Sequence, residues 1–222
     1  MRQLQSRRFW VIATLAVAFV FGSAAPSWAL DLGTMGVSNN TQNQRMMVSG
    51  TIGRAWVYPS PTLSSTGQKV SSIYAVRALD GSGVEAGVEW DYLHSNARAF
   101  WARTDEYGGY FSNVTGSVAA SQWLPLQVER TPNTTDWRYW VNGTLVHTET
   151  NTDMTGGVYS YVGAERTDSS TSGLGSWTYV EHKRYSDSTW DYWYRAAQDA
   201  NNDSVSFHGE HVQDSNHWVY VQ

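Results

Sequence analysis

The sequence predicts an all-β protein: one antiparallel β-sandwich domain behind a short export segment. Three observations predict it. Rings are dense, with 12 Trp and 13 Tyr in 222 residues, and aromatic and β-branched side chains suit half-buried pleated surfaces. Turn signals recur at roughly eight- to twelve-residue spacing, as in sandwiches and barrels. No stretch carries a sustained 3.6-residue apolar repeat, so helices are not expected to build the core.

The N-terminus is set aside first. Arg2, Arg7 and Arg8 precede an apolar run from Phe9 to about Gly22, and Ser27 and Ala29 are the small residues that a signal peptidase needs. Residues 1–29 therefore read as a secretory signal, too short and wrongly flanked for a stable membrane span. Residues 30–44 are rich in Gly, Ser, Asn and Thr without periodicity, and read as a flexible N-terminal arm. Residues 45–222 form the predicted sandwich. The signal holds three of the 15 basic residues and none of the 20 acids, which leaves the mature chain at −8. That charge argues against nucleic acid and anionic membrane as partners. There is no cysteine, hence no disulfide and no thiolate metal site. No P-loop, Gly-x-Ser-x-Gly or dinucleotide fingerprint occurs, and no cofactor is expected.

The strands follow in order. Met46 to Pro59 gives a first pair, closed by Pro59 and Pro61. Val70 to Leu79 and Val84 to Leu93 form a hairpin about Asp80-Gly-Ser-Gly83, whose glycines allow positive φ. Ala97 to Thr104 and Tyr110 to Val118 flank the turn Asp105 to Gly109, and Leu124 to Arg130 follows. Asp136 to Val141, then Asn142-Gly143, then Thr144 to Thr150 is the clearest hairpin, since Asn-Gly between alternating segments favours a two-residue turn. Val158 to Arg166, Ser176 to Arg184 and Thr189 to Tyr194 are further strands. Ala196 to Asn201 reads as a single helical turn before strands near Ser204 to His208 and His217 to Val221.

One strand carries chemistry on a single face. In Gly83 to Asp91 the side chains of Val84, Ala86, Val88 and Trp90 point one way, and those of Glu85, Gly87, Glu89 and Asp91 the other. Gly87, lacking a side chain beside Glu85, is expected to leave room for a ligand. Glu165 lies on a later strand, with Tyr159, Tyr161 and Gly163 on its face by the same parity. If the faces of Glu85 and Glu165 share a sheet, two neighbouring carboxyls cannot both ionise easily, and one serves as acid while the other is base or nucleophile. The alternative is structural: Glu165 paired with Arg103 or Arg166.

The order of elements and the hairpin Trp137-Arg-Tyr-Trp-Val-Asn-Gly-Thr-Leu-Val146 resemble the concanavalin-like jelly roll, two stacked antiparallel sheets of which one is concave. The hairpin is similar to a ribbon that recurs in lectin-like and glucanase members. Within that superfamily the chain resembles the secreted glutamic peptidases: Val84-Glu-Ala-Gly-Val88 is similar to their "L-Q-x-G-V" segment, and Val162-Gly-Ala-Glu-Arg166 to their Glu-bearing strand. The resemblance implies a catalytic dyad at Glu85 and Glu165. It departs from the family at Glu85, where Gln is usual, and at Arg166, where Trp is usual.

Other residues offer binding rather than catalysis. Exposed rings beside polar groups give sugars a flat platform with hydrogen-bond partners, and Glu89, Trp101, Arg103, Trp140, Tyr159 and Tyr161 are the candidate ligand-binding residues. His208, His211 and His217 do not make a metal site by strand parity. Asp31, Asp80, Asp105 and Asp153 are loop acids that could hold calcium, without EF-hand spacing. Three functions compete. The first is a secreted or cell-surface protein binding an extended polymer, foremost polysaccharide, on a concave aromatic sheet. The second is an acid-dyad hydrolase, glycosidase or peptidase. The third is a self-assembling structural protein whose arm completes a neighbour's sheet.

Overall fold

The computed structural model describes residues 31–37, 47–77, 79–150, 152–167, 171, 175–186, 188–193, 196–198, 209–212 and 218–221. The signal segment and the side chains of His208, His211 and His217 lie outside the described residues. Fifteen strands are described: β1 (Asp31–Val37), β2 (Val48–Val57), β3 (Gln68–Arg77), β4 (Gly83–Asp91), β5 (Arg98–Thr104), β6 (Tyr110–Ser117), β7 (Gln122–Arg130), β8 (Trp137–Val141), β9 (Thr144–Glu149), β10 (Val158–Arg166), β11 (Gly175–Arg184), β12 (Trp190–Tyr192), β13 (Ala196–Gln198), β14 (Gly209–Val212) and β15 (Trp218–Val221). They form an antiparallel seven-stranded sheet, β13-β1-β10-β3-β4-β5-β6, and an eight-stranded sheet that includes β14-β15-β11-β2-β7-β8-β9, with β12 beside β11.

The core lies between the sheets. Ile73, Ala75, Val84, Ala86, Val88, Val162 and Ala164 project from the first sheet. Ala55, Val57, Leu124, Leu126, Val128, Trp137, Tyr139 and Trp177 meet them from the second. Strict alternation along each strand produces this packing, since every second residue faces the partner sheet. The Thr51 hydroxyl ties the layers further, donating to the Tyr74 carbonyl at 2.8 Å.

The hairpins form where expected. Asn142 and Gly143 both have positive φ, 50° and 74°, and join β8 to β9. Gly81 (φ 76°) lies in the β3–β4 turn. Two loop acids considered for calcium shape turns: Asp80 accepts from the Ser82 amide and hydroxyl, and Asp105 from the Tyr107 and Gly109 amides.

Two elements differ from expectation. Asp31–Val37, read as part of a flexible arm, is strand β1, paired with β10 on one side and β13 on the other. Backbone pairing needs no apolar alternation, so a Gly/Thr-rich strand is invisible to periodicity. Ala196–Gln198, read as a helical turn, is the short strand β13; a three-residue element carries too little pattern to separate the two.

Candidate active site

The site is built on three neighbouring strands, β10, β3 and β4, and completed by β5 and β6. Register sets side chains in rows on the outward face of the seven-stranded sheet. One row reads Tyr161–Tyr74–Glu85–Ala102–Ser112, the next Gly163–Ser72–Gly87–Phe100–Val114, and the third Glu165–Val70–Glu89–Arg98. Glu85 and Glu165 thus share a face on strands that flank β3, about 10 Å of sheet apart and offset along it. Tyr74 bridges the offset: it stands in the row of Glu85, and its phenol donates to Glu165 Oε1 at 2.7 Å.

Both carboxyls are nearly sealed from solvent, Glu85 at 8% and Glu165 at 3% exposure. With Glu89, Val70, Phe100, Tyr110, Ser112 and Val114 they line a cavity that offers a water-sized sphere about 20 Å³, room for one water molecule. Gly87 does not leave a vacancy there. A Cβ on it would meet the Phe100 ring at 2.6 Å and Ser72 Cβ at 2.7 Å, so the Phe100 ring occupies that space.

The three acids of β4 part company by their partners. Arg98 binds Glu89 at 2.5 Å and Asp91 at 2.6 Å, and Gln68 donates to Glu89 at 3.0 Å. Asp91 also contacts His94 Nδ1 at 2.6 Å. Among the described residues Glu85 and Glu165 have no cationic partner. Of the two arginines considered for Glu165, Arg103 pairs with Glu149 at 2.8 Å, and Arg166 donates to the Thr171 carbonyl.

A carboxylate without a counter-ion in a dry cavity holds its proton more tightly. Burial raises Glu165 to about 7, against the opposing hydrogen bond from Tyr74. Burial raises Glu85 well above the ordinary range, and the charge of Glu165 raises it further. Tyr74 and Tyr110 are pushed up in the same way, by burial first and by the two glutamates second. Each carboxyl has a hydroxyl that favours its ionised form, Tyr74 for Glu165 and Ser72 for Glu85, and Glu85 keeps its proton because burial and the charge of Glu165 outweigh Ser72.

The other candidates do not gather into one surface. Glu89 lines the cavity but is held by Arg98; Tyr161 is buried beside Tyr74; Tyr159 shares their face farther along β10, half-buried. Trp101 and Arg103 have the opposite parity on β5, opposite Ala86 and Val84, and point to the other sheet. There Trp101 stacks on His147 with centroids 3.6 Å apart and planes at 3°, next to the Arg103–Glu149 ion pair. Trp140 lies on the outward side of the eight-stranded sheet, away from the carboxyls. Tyr74, Phe100, Tyr110 and Ser112 belong to the site without having been singled out. Parity within their strands was legible, but only cross-strand register brings them to Glu85.

Sandwich topology and this face define the class of fold, a concanavalin-like jelly roll. Solved structures agree. The chain is similar to scytalidoglutamic peptidase bound to a peptide-based transition-state analogue, with TM-score 0.52 and 12% identity over 86% of this chain and 97% of that one. It is also similar to SCP-B, a peptidase of the eqolisin family in complex with the tripeptide Ala-Ile-His, with TM-score 0.50 and 12% identity over 87% and 96%. A Bacillus licheniformis β-glucanase aligns less well, at TM-score 0.40 and 12% identity over 85% and 77%. No protein-family model and no curated protein matches the chain.

Proposed function

We propose that the chain is an exported hydrolase, that Glu85 and Glu165 are its catalytic pair, and that peptide bonds are its substrate class. The observation that carries this reading is the shared water-sized cavity, faced by two carboxyls that have no cationic partner among the described residues, while Glu89 and Asp91 beside them have one. Ionised Glu165 takes a proton from the water as its oxygen attacks the carbonyl carbon. Protonated Glu85 donates to the carbonyl oxygen, where negative charge develops. The proton on Glu165 then passes to the leaving nitrogen, the C–N bond breaks, and both groups regain their initial state. A carboxylic acid at position 85 offers the donor that the carboxamide of the glutamic peptidases would offer, so the Glu-for-Gln departure is compatible with the same chemistry.

Hydrolysis of casein and of a mixed peptide library between pH 2 and pH 8 tests the proposal. Cleavage is expected to rise with pH through about 7, as Glu165 ionises, while Glu85 keeps its proton. Glu165→Gln should reduce kcat by about a hundredfold or more, the ordinary scale for a general base. Glu85→Gln should retain most of the rate and extend activity to higher pH, because the carboxamide needs no proton. An inactive parent chain, or equal rates in the parent and Glu165→Gln, removes the reading. Glycan substrates in the same assay separate peptidase from glycosidase.

Polymer binding on this sheet has less support, since Tyr74 and Tyr161 are buried and Trp101 faces inward. Arm exchange has less support too, since β1 pairs within its own sheet.

A further inference from the structure

The opposite side of the molecule carries a second assembly of rings. On the outward face of the eight-stranded sheet, one row runs Glu181–Ile52–Gln127–Trp140–Leu145 across β11, β2, β7, β8 and β9. Trp140, Gln127, Ile52 and Pro125 line a shallow open groove of about 310 Å³. Four residues along β2 from Ile52, Trp56 meets Trp123 of β7 with centroids 5.0 Å apart. The two ring centres therefore lie roughly 13 Å apart along the strands. Between them the exposed Arg54 lays its guanidinium 4.6 Å from the centroid of Tyr179. Tyr179 has φ 51° inside β11, where the register with β2 shifts, and the irregularity puts its ring against Arg54.

We propose that this face binds a neutral polysaccharide chain, laid over Trp140 and Gln127 and reaching toward the Trp56–Trp123 pair. The half-exposed indoles supply platforms for the apolar faces of sugar rings. Gln127 and Arg54 supply donors, and Gln127 an acceptor, for hydroxyls between the platforms. The separation of the platforms exceeds one ring, so an oligomer gains over a monosaccharide.

Two other occupants fit less well. An extended peptide docks by pairing its main chain, but β2, β7 and β8 are interior strands already paired on both sides. A strongly charged polymer would need an excess of one sign, and this face mixes them: Glu181 stands in the row beside Arg54, and Lys183 and Arg138 hold Glu129 at 2.8 and 3.6 Å.

Affinity electrophoresis of the full-length protein through gels containing xylan, mixed-linkage glucan or alginate tests the proposal. Retardation by a neutral polymer and none by alginate is expected. Trp140→Ala should weaken it roughly tenfold or more, as loss of a stacking anchor does. Arg54→Ala, at an exposed position, should weaken it by a smaller factor and carries the test if Trp140→Ala fails to fold. Three results overturn it: no retardation by either neutral polymer, retardation unchanged in both variants, or a dimer in sedimentation that Trp140→Ala abolishes, which would assign the face to a second copy. None of these depends on whether Glu85 and Glu165 hydrolyse anything.

Discussion

Glu165 sets how the molecule responds to pH. Its folded value of about 7 lies above the ordinary 4.5, so between these values the folded chain binds more protons than the unfolded one. Stability from this group is complete below about pH 4.5 and lost as pH rises through 7. Glu165→Gln, which removes the charge, should leave stability near pH 4 little changed and raise it at pH 8. A ceiling of roughly 3 kcal/mol follows from the shift, and urea unfolding at both values checks it. Tyr74 pulls the other way. Tyr74→Phe removes the donor that favours ionised Glu165, so the acid limb of the rate profile should move up by about one pH unit. An unmoved limb would separate Tyr74 from the chemistry. These roles were half legible beforehand: the alternation of 83–91 isolated Glu85, Glu89 and Asp91 as one face, but only Arg98 in space shows which of them is already neutralised.

At the scale of elements, turns were the most legible features and register the least. Asn142-Gly143 fixes its hairpin because both residues accept positive φ at little steric cost. Strand faces follow from parity, so Trp101 and Arg103, two residues apart on β5, share one. Which side of the sheet they met depended on their pairing with Ala86 and Val84, for which their own strand has no signal. β1 was missed because its stability comes from backbone bonds to β10 and β13. Packing between strands also explains Gly87, whose Cα is covered by Phe100 from β5. Gly87→Ala should destabilise the domain by about 1–3 kcal/mol, the usual cost of overpacking. A thermal melt reads that cost, and an unshifted midpoint would mean that Phe100 simply swings aside.

The whole molecule is a sandwich with a different surface on each outer side. A carboxyl cavity sits on the seven-stranded sheet and a ring-lined groove on the eight-stranded one, with the core between them and no cysteine to cross-link it. Composition and turn spacing were enough for an all-β sandwich or barrel, and the resemblance of the element order and the Trp137–Val146 hairpin pointed to the jelly roll. The division of rings between core and outer faces was not legible, because both parities of an antiparallel strand can carry aromatics. Among the described strands the same architecture leaves β6 at the end of its sheet, paired with β5 alone, with exposed Phe111 and Val114 and no charged residue in Tyr110–Ser117. At neutral pH the negative net charge keeps copies apart. As pH falls to the isoelectric point, about 5.6, that repulsion fades, and the bare edge becomes the place where one molecule can stitch to the next. Shelf life would then be shortest at mildly acid pH. Asn113→Lys places a charge on the exposed edge, on the side of β6 away from the cavity of Glu85 and Glu165. Light scattering near the isoelectric point, about pH 5.6, should show slower aggregation of that variant than of the parent.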